Sequence, residues 1–336
     1  MNEQNHTTEP KVLSTIDGNT LMAQEYEPLQ FSIDTILPHG IFVFAGSPKV
    51  GKSFLTLDMC RAISTGGKLW DFKATQGEAL YLALEDRHNR LQARLRQIKA
   101  DSEDISRLHL ATASFGLSNG LLEQVHNFIA EYPGTNFIAI DTLEKIRDGG
   151  RDRDMYSCDY SDMGKLREIT EKHRLTLLLV HHTRKMYDPD PLNTVSGSTG
   201  LIGAVDGVFV LIKDRRTGNS AKLTISNRDT ESFCFELRFD PDTCRWDYMG
   251  NSAVGGDDDD ALCFLLNEFL KEDWNGTATE LCSELKRLNT DFSMSPAVIS
   301  KQISAISASL KKDYGILFER DRNMKARRIF LQRIEQ

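Results

Sequence analysis

A short motif near the start of the chain places the tightest constraint on its fold. Residues 46–53 read Gly-Ser-Pro-Lys-Val-Gly-Lys-Ser, which is the G-x-x-x-x-G-K-S/T spacing of a phosphate-binding loop. The apolar run before it, residues 41–45, is typical of a strand, and a helical pattern begins at Phe54. Backbone N–H groups at such a junction can surround a phosphate at the positive end of the helix. The motif therefore predicts binding of a nucleoside triphosphate.

The residues of this loop have distinct predicted roles. Lys52 would reach the β- and γ-phosphates, and the Ser53 hydroxyl would bind Mg²⁺. Gly46 and Gly51 permit backbone conformations and a close approach that a Cβ atom would block. We expect the nucleotide to contact Gly46, Ser47, Pro48, Lys49, Val50, Gly51, Lys52, Ser53 and Phe54.

Composition limits the classes of protein to which the chain can belong. With 336 residues, of which 40% are hydrophobic, it can bury one large core and one small core. No apolar stretch has the length of a membrane span, the polar start is unlike a signal peptide, and the six cysteines lack metal-ligand spacing. We therefore expect a cytoplasmic protein with reduced thiols and no membrane partner.

Alternating patterns predict an α/β fold and its domain boundaries. From about residue 30 to residue 248, apolar runs alternate with helical patterns, which predicts a mostly parallel sheet with helices on both faces. Residues 233–239 alternate with period two, which predicts an antiparallel edge strand that partly faces solvent. The predicted organisation is a flexible N-terminal arm (1–25), an α/β domain (26–249), a Gly- and Asp-rich linker (250–260) and a small domain (261–336).

The small domain has the element order of a winged helix. A capping box at residues 277–280 predicts a helix over 278–288, and Ser295 before a proline predicts a second helix over 295–311. Two strand-like runs follow around a polar turn. Residues 301–336 contain nine Lys and Arg against four acids, although the whole chain has a net charge of −8. The helix over 295–311 would enter a major groove of duplex DNA, with Lys325, Arg327 and Arg328 on the wing. The alternative is a solvated charged hairpin in a subunit-packing module.

Two further strand-like runs end in acidic residues. Residues 137–140 lead into Asp141, which would hold the Mg²⁺ water shell opposite Ser53. Residues 80–84 lead into Glu85 and Asp86, and we assign Glu85 as the general base that polarises the attacking water. The alternatives are Asp86 as the base, or an acidic N-cap for a helix that begins near residue 89.

A third strand-like run ends in two histidines. Residues 177–180 are followed by His181 and His182, and a histidine at this place could donate a hydrogen bond to the γ-phosphate. A zinc site or two surface histidines are the alternatives.

The ordered set of motifs resembles the RepA-like ATPases of plasmids, phages and other mobile elements. These are RecA-type ring ATPases and relatives of the DnaB-type replicative helicases. The resemblance covers residues 30 to 248, and its motifs are the phosphate-binding loop (46–53), the strand ends at 82–86, 140–142 and 181–185, the segment 197–206, and the closing strands from 226 to Trp246.

The resemblance implies a RecA-like ATPase core that hydrolyses ATP with Mg²⁺ in a ring of identical subunits, six in number. It implies that Lys52 binds phosphate, that Glu85 is the catalytic base and that Asp141 is the Walker B acid. His182 would be the γ-phosphate sensor. Arg228 would be the arginine finger supplied to a neighbouring subunit, with Arg215 and Arg216 as further candidates and a surface ion pair as the alternative.

Members of this family also thread single-stranded DNA past two loops of each subunit. Here these loops would be residues 148–159, with Arg151, Arg153 and Tyr156, and residues 186–196, with Arg184 and Lys185 at the root. The implied function is that of a replicative helicase of a mobile element. An ATP-switched DNA-binding regulator without unwinding activity and a RecA- or RadA-type recombination mediator are the alternatives.

Overall fold

The computed structural model describes residues 13–99, 102–147, 155–184, 188, 190–197, 199–213, 218–251, 258–289, 292, 294–321 and 328–334. The chain forms two compact units, residues 1–30 and residues 31–336. In the first unit, helix α1 (Gly18–Ala23) begins where the Asp17 carboxylate accepts hydrogen bonds from two backbone N–H groups. Residues 1–12 of the predicted arm lie outside the described residues.

Strands and helices alternate through most of the second unit. Up to residue 146 they are β1 (Phe31–Ile33), β2 (Leu37–Pro38), β3 (Gly40–Gly46), α2 (Lys52–Thr65), β4 (Lys68–Leu69), β5 (Phe72–Lys73), β6 (Glu78–Ala83), α3 (His88–Ile98), β7 (Leu108–Ala111), α4 (Leu121–Glu131), β8 (Thr135–Asp141) and α5 (Leu143–Ile146). Up to residue 251 they are α6 (Met155–His173), β9 (Thr176–His182), a 3₁₀ helix (Pro191–Thr194), α7 (Thr199–Ala204), β10 (Gly207–Lys213), β11 (Ser220–Asn227), β12 (Phe233–Asp240) and β13 (Arg245–Asn251).

One nine-stranded sheet organises this part of the chain. Its order is β13–β12–β11–β10–β3–β9–β8–β6–β7. The six strands from β10 to β7 are parallel, whereas β11, β12 and β13 are antiparallel to their neighbours. The predicted α/β fold with a mostly parallel sheet is therefore confirmed.

The central strands are buried on both faces, which explains their unbroken apolar runs. In β3, Phe42 and Phe44 pack into the apolar cluster that includes α2 and α3, whereas Ile41 and Val43 pack into the cluster that includes α4, α6 and α7. A strand covered by helices on both faces needs apolar residues at every position. This requirement is why the sequence indicates β3, β8 and β9 clearly.

The edge assignment of residues 233–239 is wrong. These residues belong to β12, which is antiparallel as predicted but lies between β11 and β13. The edge strand on that side of the sheet is β13, in which Trp246 is buried between the charged residues Arg245 and Asp247. Such a mixed sequence has too weak an apolar pattern to be read as a strand.

The C-terminal residues form a separate small core. Their elements are α8 (Asp258–Phe269), β14 (Trp274–Thr277), α9 (Ala278–Leu288), α10 (Pro296–Ala305), α11 (Ser307–Tyr314), β15 (Ile316–Asp321) and β16 (Arg328–Arg333). The strands form a three-stranded sheet in the order β14–β16–β15. The capping box predicted at the start of α9 is present, with Thr277 and Glu280 bonded reciprocally.

The structure differs from two predictions in this region. The helix predicted over 295–311 is broken at Ile306, where φ is −88° and ψ is 3°, so that α10 and α11 are separate helices. Ile306 is nevertheless buried with Ile299, Ile303 and Leu310, so the predicted apolar face does form the core. The predicted linker, 250–260, is shorter, because β13 extends to Asn251 and α8 begins at Asp258; residues 252–257 lie outside the described residues. No helix in the described part of the chain combines the length and the hydrophobicity needed to cross a membrane.

Candidate functional site

The carboxyl edge of the parallel strands collects the predicted site residues. Gly46 ends β3, Asp141 ends β8 and His182 ends β9, while Glu85 follows β6 by two residues. In the strand register, Gly46 of β3 lies directly opposite His182 of β9, and Asp141 of β8 pairs with Val180, which also belongs to β9. Ligands of open α/β sheets bind at this edge, because the loops that leave parallel strands meet there.

The phosphate-binding loop depends on two glycines. A Cβ atom at Gly46 would lie 2.8 Å from the backbone oxygen of Leu211, so the neighbouring strand excludes any side chain. Gly51 has a φ of +108° directly before α2, and a Cβ atom there would lie 2.9 Å from the indole nitrogen of Trp246. The loop is therefore packed tightly from outside while Ser47, Pro48 and Lys49 are exposed.

Lys52 points into this loop and is almost fully buried, with 6% of its surface exposed. Its Nζ donates to the backbone oxygens of Gly46, at 2.6 Å, and Ser47, at 3.1 Å. Burial lowers the pKa of Lys52 from 10.5 to about 8, although Asp141 and Glu85 oppose that shift. The ammonium group is thus held where phosphate oxygens could replace the carbonyl partners.

Ser53 and Asp141 meet directly beside Lys52. The Ser53 hydroxyl donates to Oδ2 of Asp141 at 2.6 Å, and Asp141 is only 5% exposed. Mg²⁺ prefers hydroxyl, carboxylate and water oxygens, so this pair fits the ion that accompanies a nucleoside triphosphate. Asp141 accepts a second hydrogen bond, from the hydroxyl of Tyr81 at 2.7 Å. Burial, followed by the nearby charge of Asp141, raises the pKa of Tyr81 well above its usual value.

Glu85 and Asp86 differ in their partners. Asp86 is ion-paired with Arg90, at 2.8 Å, and with Arg94, both of α3. Glu85 is exposed at the carboxyl edge and close enough to Lys52 to act on its charge. Helix α3 is preceded by Arg87, and no side chain caps it, so the alternative of an acidic N-cap is wrong. Asp86 is therefore engaged by arginines of α3, whereas Glu85 is exposed near Lys52.

The two histidines at the end of β9 occupy different environments. His181 is 4% exposed, and its Nε2 lies 3.1 Å from the backbone oxygen of Ser196. Burial and the Arg147 guanidinium lower the pKa of His181 to about 4, so it is neutral at pH 7. His182 lies opposite Gly46, and its Nδ1 is buried without a hydrogen-bond partner among the described residues. The Nδ1 of His181 is likewise buried without such a partner, so what distinguishes His182 is the strand register, which sets it opposite the first residue of the phosphate-binding loop.

The residue after His182 links this strand to the phosphate-binding loop. The backbone N–H of Thr183 donates to Gly46 at 3.4 Å, and its hydroxyl lies 3.5 Å from that of Ser47. Arg184 follows and donates from its backbone to Thr194 at 2.7 Å and from Nε to Val195 at 3.2 Å. The loop predicted over 186–196 thus contains a 3₁₀ helix held against the end of β9.

Arg228 lies at the end of the sheet where the parallel strands begin, opposite to their carboxyl ends. It follows β11, whose Asn227 pairs with Gly207, and Gly207 in turn pairs with Phe42 near the start of β3. Gly46, where the phosphate-binding loop begins, lies four residue steps along β3 from Phe42, which corresponds to about 13 Å. The Arg228 guanidinium is exposed, donates to the backbone oxygen of Gly203 at 2.6 Å and lies 3.9 Å from Oδ1 of Asp206, so an ion pair of the kind named as the alternative is present. It cannot reach the phosphates of its own subunit.

Several predicted DNA contacts fall outside the described residues. These are Arg151, Arg153, Lys185, Lys325 and Arg327, together with the alternative fingers Arg215 and Arg216. Tyr156 lies in α6, and its side chain is not described; the loop predicted over 148–159 is wrong in its last five residues, because α6 begins at Met155. Arg328 is exposed at the first position of β16.

Two residues of the site, Tyr81 and Trp246, were given no role in it from the sequence. The Trp246 indole donates to the backbone oxygen of Gly51 at 3.3 Å, and its ring packs on Phe239. Phe239 in turn contacts Phe54, the residue after the phosphate-binding motif, with ring centroids 5.4 Å apart. The sequence signals that could have indicated these two residues are a tyrosine inside an apolar strand and a tryptophan on a polar strand. Both side chains need a hydrogen-bond partner when they are buried.

Among the described residues no group of three potential metal-binding side chains occurs, and the two histidines of β9 have no third ligand. The zinc alternative therefore has no support in the described part of the chain.

Known structures share the fold of the sheet and its helices. The ATPase domain of G40P aligns with a TM-score of 0.52 at 14% identity, over 63% of this chain and 85% of that domain. A DnaB-like replicative helicase, solved to study its interactions with primase, aligns with a TM-score of 0.50 at 14% identity, over 62% of this chain and 57% of the helicase. A KaiC-like protein from Pyrococcus horikoshii gives a TM-score of 0.48 at 11% identity, over 65% and 94% of the two chains.

The sequence itself also matches a family model. No curated protein matches the chain. Residues 7–188, more than half of the 336, match the model AAA_25, described as an AAA domain. That range includes the phosphate-binding loop, Glu85, Asp141 and His182 and ends before Arg228. The chain therefore belongs to the AAA_25 family of AAA domains and has a RecA-like α/β fold, which it shares with the ATPase domain of G40P and with a DnaB-like replicative helicase.

Proposed function

We propose that this protein is a Mg²⁺-dependent ATP hydrolase that works as a ring of six identical subunits on single-stranded DNA, in the manner of the RepA-like replicative helicases. The observation that carries the proposal is the convergence of Lys52, the Ser53–Asp141 pair and Glu85 at one edge of the sheet. A cation, a metal-binding pair and a carboxylate base are the groups that γ-phosphate hydrolysis requires.

The proposed mechanism assigns each step to a residue of this chain. Ser53 and Asp141 would hold Mg²⁺, which neutralises charge on the β- and γ-phosphate oxygens. Lys52 exchanges its carbonyl partners for phosphate oxygens. Glu85 would orient a water molecule and accept its proton as the water oxygen bonds to the γ-phosphorus; the bond from that phosphorus to the β–γ bridging oxygen breaks, and ADP leaves. His182, whose Nδ1 has no partner among the described residues, would donate a hydrogen bond to the γ-phosphate. When that phosphate leaves, the hydrogen bond is lost, and the change would be transmitted to the next residues of the chain, Thr183 and Arg184.

The place of Arg228 supports a multi-subunit site. This arginine lies at the edge of the sheet opposite to the phosphate-binding loop, so it can stabilise transition-state charge only on a nucleotide held by another subunit. Its exposure leaves it accessible to that neighbour. The resemblance of the motifs to those of the RepA-like ring ATPases favours a closed ring for this arrangement.

The DNA contacts belong to the same proposal. Arg184 and Lys185 at the end of β9, and Arg151, Arg153 and Tyr156 before and within the start of α6, would contact single-stranded DNA at the centre of the ring. The C-terminal residues 258–334, with their helices and the β15–β16 hairpin, support a winged-helix domain. Lys325, Arg327 and Arg328 would then contact duplex DNA. We place this activity in the cytoplasm, in agreement with the six free cysteines, and in the replication of a mobile element.

ATP turnover by the purified full-length chain tests the hydrolase. Phosphate release should require Mg²⁺, rise with single-stranded DNA and disappear in Lys52→Ala, whose circular dichroism spectrum should match the wild type. Undiminished turnover in Lys52→Ala would remove the site assignment.

Two further measurements separate the helicase from the alternatives. A strand-displacement assay with a forked duplex should show ATP-dependent unwinding; specific duplex binding without unwinding would indicate a regulator instead. Negative-stain electron microscopy with ATP and single-stranded DNA should show closed rings. Open filaments together with strand exchange would indicate a recombination mediator.

A further inference from the structure

We propose that Tyr81 is a positioning residue that orients the Asp141 carboxylate toward the Mg²⁺ of the bound nucleotide. This inference deepens the proposed function and rests on it. Tyr81 lies in β6, the neighbour of the strand that ends in Asp141, and its hydroxyl donates to Oδ2 of Asp141 at 2.7 Å. No part of Tyr81 is exposed to solvent.

The geometry gives the two donors to Asp141 different functions. Ser53 and Tyr81 both donate to Oδ2, at 2.6 Å and 2.7 Å. The Ser53 hydroxyl lies on the first turn of α2, where it would also face the metal ion. The Tyr81 ring is held in the core beside residues such as Phe137 and Ala83, so its hydroxyl is a fixed point against which the carboxylate is aligned.

A tyrosine at this place would be unfavourable if packing were its only role. A phenylalanine would fill the same apolar space without burying a hydroxyl group. The hydroxyl is tolerated because its partner is a carboxylate, and hydrogen bonds to charged acceptors are among the stronger ones in proteins. Groups that orient metal-binding side chains in this way typically alter metal affinity or activity by about 10–100-fold when they are removed.

The test measures Mg²⁺ dependence of nucleotide binding rather than turnover. ADP binding to the full-length protein is followed by titration calorimetry at increasing Mg²⁺ concentrations. For Tyr81→Phe we expect the half-saturating Mg²⁺ concentration to rise about tenfold, with unchanged ADP affinity in the absence of Mg²⁺. The matched control is Tyr248→Phe, which removes a hydroxyl that donates to Asn251 at 2.7 Å, away from Asp141; it should leave both values unchanged.

Additional variants separate positioning from packing. In an Asp141→Asn background, Tyr81→Phe should cause no further change in Mg²⁺ requirement, since Tyr81 acts through that carboxylate. If Tyr81→Phe does not fold, two other side chains can replace Tyr81. 4-Methylphenylalanine keeps the volume without the donor and should raise the half-saturating Mg²⁺ concentration. 4-Aminophenylalanine keeps a donor and should give the wild-type concentration.

The outcomes distinguish this inference from the proposed function. If the wild type binds ADP without any Mg²⁺ dependence, the proposed metal site itself fails. If the wild type shows that dependence, two results would overturn the inference. One is a half-saturating Mg²⁺ concentration that is the same in the wild type and in the variants without a donor at position 81. The other is a simple addition of the effects of Tyr81→Phe and Asp141→Asn; in either case Tyr81 is a packing residue.

Discussion

Removing the charge of Lys52 should stabilise the nucleotide-free protein while it abolishes nucleotide binding. Lys52 is 6% exposed, and among the described residues the hydrogen-bond partners of its ammonium group are two carbonyl oxygens, those of Gly46 and Ser47. Its pKa of about 8, against 10.5 for a free lysine, means that the folded state holds this charge less favourably than water does. Lys52→Met keeps the length of the apolar stem and removes the charge.

The size of the effect follows from the lowered pKa. A pKa that falls from 10.5 to about 8 corresponds to a cost of about 3 kcal/mol for the protonated side chain at pH 7. The substitution also removes two hydrogen bonds to backbone oxygens, each of which contributes about 1 kcal/mol. We therefore expect Lys52→Met to unfold with a free energy that is about 1–2 kcal/mol higher than that of the wild type at pH 7.

The difference should depend on pH in a defined window. Below pH 8 the lysine is protonated in both the folded and the unfolded wild type, so its cost is fully present. Between pH 8 and pH 10.5 the unfolded chain binds one proton more than the folded chain, and wild-type stability rises relative to the variant. The advantage of Lys52→Met should therefore shrink by about 1.4 kcal/mol for each pH unit within that window.

Urea unfolding followed by circular dichroism, without nucleotide, measures this difference at pH 7 and pH 9. Lys73→Met is the matched control, because Lys73 is exposed in β5, outside the phosphate-binding loop, and its replacement should change stability by less than about 0.5 kcal/mol. Adding ADP with Mg²⁺ should stabilise the wild type and Lys73→Met but not Lys52→Met. A Lys52→Met protein that is less stable than the wild type at pH 7, or a difference independent of pH, would refute the reasoning.

Four other substitutions test the remaining groups. Glu85→Gln should keep nucleotide binding and lower phosphate release by about 10²–10⁴-fold, whereas Asp86→Asn, which loses ion pairs within the subunit, should lower the urea midpoint and spare turnover. Trp246→Phe should weaken ADP binding about fivefold in calorimetry, because Gly51 loses a hydrogen-bond donor worth about 1 kcal/mol. Arg228→Ala should bind nucleotide without hydrolysing it, and mixing it with Glu85→Gln should restore part of the turnover at interfaces that contain one intact copy of each group.

The sequence indicated the central strands because their burial leaves a strong pattern. Residues 41–45 and 137–140 are apolar at every position, since helices cover both faces of β3 and β8. Strand β7, at the other edge of the sheet, is half-buried throughout and gave no such signal. The break at Ile306 was missed for a different reason: the residue is buried on the same face as its helical neighbours, so the apolar pattern continues across the break.

The site divides in a similar way. Asp141 and His182 could be predicted because each follows an apolar run, and parallel strands end at a common edge. The contacts of Tyr81 and Trp246 could not be predicted, since 60 residues separate Tyr81 from Asp141 and 195 separate Trp246 from Gly51. Such contacts depend on strand register and on the packing of the antiparallel strands, which no local pattern specifies.

The two edges of the sheet constrain how subunits could assemble. The phosphate-binding loop lies at the carboxyl end of β3, and Arg228 lies close to the amino end of that strand. In a two-fold symmetric dimer with both sites completed, the one interface would have to contain two contacts between Arg228 of one subunit and the phosphate-binding loop of the other. A head-to-tail contact completes one site per interface and repeats, so it generates a ring when the rotation closes and a filament when it does not. If Arg228 is the arginine finger, a catalytically complete assembly of this chain is therefore a ring or a filament, and the mixing experiment with Arg228→Ala tests the premise of both.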